Sequence, residues 1–245
     1  MKDSVRAFGA GLVALCLTLG SASASVVVGG TRVVFPGDKG ETTLRLNNEG
    51  DEPALVQSWI DRGDPKSTPD KVDVPFLITP PLFRMDAHKG QSLRIVYTQE
   101  ALPADRESLF WLNVLEVPPK PTGERANANI LQFAVRTRIK LFYRPANLNV
   151  DPAKAPEQLT WKVVADGQGN ALQVTNPTPY YITFSEVTVV AGGKTLTVDS
   201  GMVDPKGTLK LSMPGLTALP AGTAVTFSTI NDFGAASNFK GEVRS

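Results

Sequence analysis

A chain of 245 residues with 25 lysines and arginines against 24 aspartates and glutamates has no bulk charge to draw it to nucleic acid or an anionic membrane. One cysteine and one histidine exclude a disulfide framework and leave any zinc site to be built mostly of carboxylates, so no metal and no other cofactor is expected. Any charge-driven contact must come from a local cluster.

The first predicted element is an export leader. Lys2 and Arg6 supply a positive start, weakened by Asp3. Residues 7–19 are mostly apolar, and Ala22, Ser23 and Ala24 provide the small residues of a cleavage site. The apolar run is shorter than the roughly 20 residues of a membrane crossing, which disfavours an uncleaved anchor. No later stretch offers a crossing, so the protein is not expected to be membrane-embedded. Residues 1–24 therefore read as a removable signal peptide. Cleavage would take Cys16 with it, along with two bases and one acid. The remaining chain would be charge-balanced and would be stabilised by core burial without disulfides.

Short runs of β-branched or alternating apolar residues then follow one another at 26–28, 31–35, 42–46 and 54–60, and at 76–79, 92–97, 108–117 and 130–143. Proline, glycine, aspartate and asparagine punctuate them, which is turn chemistry. A break follows at 144–157, where Pro145, Pro152 and Pro156 occur with few large apolar side chains. Strand-like runs resume at 159–164, 172–175, 181–190, 194–198, 207–213 and 224–230. No stretch holds a 3.6-residue period for three turns. The expectation is an all-β protein of two β-sandwich domains, residues 25–146 and 147–245, each of ordinary domain size.

No catalytic constellation emerges. His88 stands alone in a polar turn beside Asp86 and Lys89, without a Gly-x-Ser-x-Gly elbow. The Gly29-Gly30 pair lies between strands and opens no helix, so it does not read as a phosphate loop. An enzyme is not expected, and a hydrolase using His88 as base is the least supported alternative.

The unusual stretch is residues 129–144, NILQFAVRTRIKLFYR, which is long for a strand. One parity carries Leu131, Phe133, Val135, Thr137, Ile139 and Leu141; the other carries Gln132, Ala134, Arg136, Arg138 and Lys140. Alternation ordinarily means a central strand with one face in its own core and a solvated basic face. The functional reading is an apolar edge at 131–135 offered to a partner, with Arg136, Arg138 and Lys140 as charged guards against indiscriminate pairing. Pattern alone leaves both open. An exposed edge of this kind would also allow the free protein to self-associate.

Six segments together resemble one family. Residues 137–145 (TRIKLFYRP), preceded by 105–113 (DRESLFWLN), are similar to the periplasmic pilus-assembly chaperones of the chaperone–usher pathway. Residues 31–35 (TRVVF), 79–81 (TPP), 176–181 (NPTPYY) and 230–234 (INDFG) match in the family's order. The resemblance implies two immunoglobulin-like domains set at an angle, a periplasmic location, and pilus or fimbrial subunits and an outer-membrane usher as partners. It also implies donation of a strand to complete the subunit's sheet. Leu131, Phe133 and Val135 would fill the subunit's groove, while Arg32 and Lys140 would anchor its C-terminal carboxylate. Glu107, Arg144 and Asp232 would form a structural charge cluster between the domains. Without the resemblance, Arg32 reads as a surface cation and the cluster as three unrelated charges. A secreted adhesion or receptor-binding module on the same scaffold is the main alternative. The short, cysteine-free segment 117–129 resembles the subfamily with a short loop, serving rod-like pili. Lys140 has the opposite parity to the apolar ladder; twist, a bulge or a passage between sheets would be needed to re-aim it.

Overall fold

The computed structural model describes residues 25–123, 129–167, 169–213 and 219–244. The expected signal peptide and part of the segment 117–129 lie outside these residues. Nine strands form the first body: β1 (Val26–Val28), β2 (Arg32–Pro36), β3 (Glu41–Asn48), β4 (Ala54–Asp61), β5 (Phe76–Thr79), β6 (Leu82–Met85), β7 (Gly90–Tyr97), β8 (Ser108–Val117) and β9 (Val135–Arg144). They make two sheets, ordered β1-β3-β7-β5 and β2-β9-β8-β4-β6. Inward residues at every second position, among them Phe35, Leu44, Leu46, Val56, Leu93, Ile95, Phe110, Leu112 and Leu141, close a dry core between the sheets.

The second body holds β10 (Thr160–Asp166), β11 (Gly169–Thr175), β12 (Ile182–Ala191), β13 (Lys194–Val198), β14 (Met202–Val203), β15 (Thr208–Ser212), β16 (Ala224–Ile230) and β17 (Ala236–Arg244). Its separate core centres on Trp161, which meets Phe184 and Phe227 at ring-centroid distances of 5.6 and 5.1 Å. The fold is all-β in two sandwiches. Among the described residues, no helix is long and apolar enough to cross a membrane.

Three local expectations need correction. Strand β17 lies where no strand is expected: its residues, ASNFKGEVR, carry only two large apolar side chains, Phe239 and Val243, on one parity, and only Val243 is fully buried. Its tertiary requirement is visible at Gly241: a Cβ there would stand 2.8 Å from Trp161 Nε1, so the strand can lie on the tryptophan only with glycine. Strand β6 is a four-residue edge, too short for periodicity to signal it. The predicted strand at 130–143 begins instead at Val135. The β8–β9 ladder starts with Glu116 opposite Val135, and residues 129–134 have no ladder partner.

Candidate functional site

Strand β2 runs parallel to β9 and covers only its second half, with Arg32 opposite Lys140 and Pro36 opposite Arg144. On the other side, β8 pairs with β9 residue for residue from Val135 to Tyr143. Among the described residues, the β2-side edge of β9 is therefore open from Val135 to Ile139. The opening ends where two cations stand side by side.

Both cations are half-buried and lack a carboxylate within ion-pair distance among the described residues. Arg32 Nη1 donates to Ile230 O at 2.9 Å, its guanidinium lies 5.8 Å from the Phe142 ring centroid, and its buried Nε has no partner. Lys140 Nζ meets Thr183 Oγ1 at 3.3 Å and lies 5.8 Å from the Trp111 ring. Burial lowers the Lys140 pKa, and neighbouring Arg32 lowers it further. Burial also lowers that of Arg32, against the pull of Asp232 and Glu107. An anion arriving here would relieve both. A cavity of about 270 Å³ adjoins Arg32, lined also by Phe142, Arg144, Tyr181, Ile230 and Phe233 among others.

Glu107, Arg144 and Asp232 meet at the junction of the two bodies. Arg144 Nε donates to Glu107 Oε1 at 2.8 Å, and its two terminal nitrogens hold Asp232 at 2.7 and 2.8 Å. The other Glu107 oxygen accepts from the Tyr181 amide at 2.9 Å. Such a two-pronged guanidinium contact fixes orientation as well as distance. Burial pushes the Glu107 carboxyl up, only partly offset by Arg144. For Arg144, burial works against the charge, but the Asp232 bonds and the Glu107 charge prevail and raise its pKa. Phe142 and Tyr181, with centroids 5.7 Å apart, add an apolar contact across the same junction.

The apolar ladder and the cation pair lie on opposite faces. The β8–β9 register has no shift, so no bulge re-aims Lys140. Ile139 and Leu141 enter the core, and the parity of Leu131, Phe133 and Val135 continues that core-facing row beyond the end of the sheet. There Leu131 is 79% exposed, Phe133 69% and Val135 37%. Among the described residues, Leu131 and Phe133 are thus left largely uncovered and Val135 partly so.

The reading of Arg136 and Arg138 as solvated guards fails. Arg136 lies over Trp59, 4.7 Å from the ring centroid, and Arg138 over Trp111 at 4.3 Å. Both are drawn away from the open edge, Arg136 to Asn113 on β8 and Arg138 across β8 to Asp61 at the end of β4. Sequence reasoning missed these two partners; an aspartate directly after the apolar Trp59-Ile60 pair was the available signal. His88 sits at an exposed turn with φ of 57°, 3.1 Å from Asp51.

The chain resembles known proteins along nearly its whole length. Residues 25–149 match the family described as pili and flagellar-assembly chaperone, PapD N-terminal domain, and residues 154–240 match the pili assembly chaperone PapD, C-terminal domain. The probable fimbrial chaperone YadV of Escherichia coli K12 is 46% identical over 224 residues, 90% of this chain and 91% of its own. The chaperone protein FimB/FhaD of Bordetella pertussis is 42% identical over 243 residues, covering 98% and 96%. The crystal structure of the YadV chaperone superposes with a TM-score of 0.76 at 43% identity, covering 89% of this chain and all of that one. The SafB chaperone in complex with the SafA pilin of Salmonella enterica gives 0.74 at 34%, covering 91% and 98%.

Proposed function

This chain belongs to the PapD family of pilus-assembly chaperones, and from that premise we propose that it captures unfinished pilus subunits on the open edge of β9. It is a fimbrial chaperone; its family is one of chaperones rather than of enzymes. The observation that carries the mechanism is the abrupt end of β2 opposite Lys140. A subunit strand laid along residues 131–139 would continue the line of β2. If it runs parallel to β9, its C-terminus arrives between Arg32 and Lys140. Run the other way, it would bring an ammonium group there instead. Two half-buried cations therefore select the parallel orientation and a terminal carboxylate.

In this reading the backbone groups of 131–139 complete the subunit's sheet while Leu131, Phe133 and Val135 enter its groove. Each fully buried side chain would contribute roughly 1.5–3 kcal/mol before ordering costs. The backbone ladder adds affinity that is indifferent to the subunit's side chains. The same capture blocks premature polymerisation, since the groove is filled. Delivery to an outer-membrane usher then releases the subunit by exchange against another subunit's strand. No nucleotide takes part. The family's chaperones are periplasmic, and the leader-like residues 1–24 support the same location for this protein. The ion pairs of Arg144 hold the angle of the two bodies, which positions the cations at the mouth of the cleft.

Co-expression with candidate pilin subunits, followed by co-purification and mass spectrometry, tests the reading. The wild-type chain should retain a subunit, and the Arg32→Ala/Lys140→Ala double variant should fold and retain none. Undiminished retention by the double variant would overturn the anchor.

A further inference from the structure

Along the cleft face of β9, Arg136, Arg138 and Lys140 occur at every second residue and point the same way, yet they are treated differently. Asp61, the last residue of β4, is 3% exposed. Its Oδ1 accepts from Arg138 Nη2 at 2.6 Å and from the Gly63 amide at 2.6 Å. Its Oδ2 accepts from Asn113 Nδ2 at 2.7 Å and from Ser67 Oγ at 2.8 Å. The freed Asn113 Oδ1 accepts twice from Arg136, at 3.0 and 2.7 Å, while Arg136 Nη1 reaches Pro65 O at 2.8 Å. In the sheet order β2-β9-β8-β4, both arginines are thus pulled inward, away from the open edge. Lys140 has no such partner and stands beside Arg32.

This asymmetry answers a problem of register that side chains cannot solve. A subunit strand slipped by one residue turns its apolar side chains to the wrong face and is rejected on hydrophobic grounds. Slipped back by two residues, it keeps every side chain on its proper face. The terminal carboxylate would then stand opposite Arg138 instead of Lys140. Only charge distinguishes the two placements strongly. An Arg138 without Asp61 would offer its guanidinium to that carboxylate, and among the described residues its buried Nε has no partner.

We propose that Asp61 is a positioning residue that sets the register of the captured strand: it occupies Arg138 and turns it from the edge, which denies the carboxylate that rung and leaves the Arg32–Lys140 pair as its seat. The proposal rests on the carboxylate-anchor reading and adds a reason for its selectivity. Although burial works to raise the Asp61 carboxyl, the bonds from Arg138, Asn113, Gly63 and Ser67 hold it below its ordinary value, so the neutralising charge persists at neutral pH.

A short peptide alternating valine and serine makes the test, because its repeat leaves register to the terminus alone. It is made with a free C-terminal carboxylate and as the amide, each with a photo-crosslinker at one fixed position. Wild-type protein should prefer the carboxylate form by about tenfold, the worth of one charge-assisted bond. Arg32→Ala/Lys140→Ala should lose that preference. Asp61→Asn should divide the cross-links between the original site and one two residues nearer Val135. The triple variant should regain the preference for carboxylate, with its cross-links at the shifted site. If Asp61→Asn leaves the cross-links unmoved and the triple variant regains nothing, the proposal is wrong while the anchor stands. A wild-type preference that survives Arg32→Ala/Lys140→Ala overturns the anchor, and this proposal with it. Should Asp61→Asn fail to fold, Asp61→Ser, which keeps an acceptor for the Gly63 amide, takes its place.

Discussion

From Lys140 to Tyr143, the chain has β2 on one side and β8 on the other; from Leu131 to Ala134, the same run has neither. Leu141 and Phe133 share a parity and a hydrophobic character, but Leu141 is fully buried and Phe133 is 69% exposed. The difference lies in neighbours, not in composition. Where partner strands exist, the alternation builds this protein's own core. Where they stop, the same alternation is left exposed, the surface that the proposed function gives to a subunit. Strand β9 thereby leads directly from the paired sandwich into a segment that is unpaired by itself.

The largest expected effect lies at the rigid end. Arg144→Ala leaves Glu107 buried without its cation and should cost about 3–5 kcal/mol in urea unfolding. Restoration of wild-type stability by Glu107→Gln in the same chain would be consistent with a purely electrostatic loss. Next, Leu141→Ala should destabilise by about 2–5 kcal/mol, the range for a fully buried leucine. Phe133→Ala should change stability by less than about 0.5 kcal/mol, yet abolish subunit retention in co-purification. Equal stability losses for the two would remove the distinction between the halves of the run.

Smaller effects concern pH. The folded-state pKa of Asp61 lies below its ordinary value of 3.8, so its contribution to stability is present above that value and is lost as pH falls through the folded one. The gap in Tm between wild type and Asp61→Asn should therefore narrow on acidification below pH 3.8. At the other extreme, the Lys140 pKa is lowered from 10.5 in the free protein, and a bound carboxylate would raise it. Binding then takes up a proton in that range. Affinity for a carboxylate-ended peptide should fall as pH rises through the free-state value, while the amide form should show no such step. An identical pH dependence for both forms would count against Lys140 as an anchor.

Most strands were legible in the sequence because period-two alternation and turn residues are local signals. The three exceptions, β6, the two-residue β14 and β17, owe their strand state to neighbours: a single partner strand for each of the first two, and close approach of Gly241 to Trp161 for the last. Nothing local connects Arg32 with Lys140 or Arg144 with Asp232; family resemblance named them together, and the parallel β2–β9 pairing and the junction of the two bodies bring them into contact. Arg136 and Arg138 were misread as solvated because their partners on β4 and β8 are far along the chain.

By itself, the sequence determined the all-β class, the break between the bodies and the two parities of the 131–144 run, since each depends on residues next to one another. The tertiary structure alone decided where that run ceases to be paired, which of its cations are neutralised, and that no bulge turns Lys140 to the face of Val135. Those properties depend on which strands lie alongside and where they end, and a buried carboxylate such as Asp61 acts through space on residues that the chain itself keeps far apart.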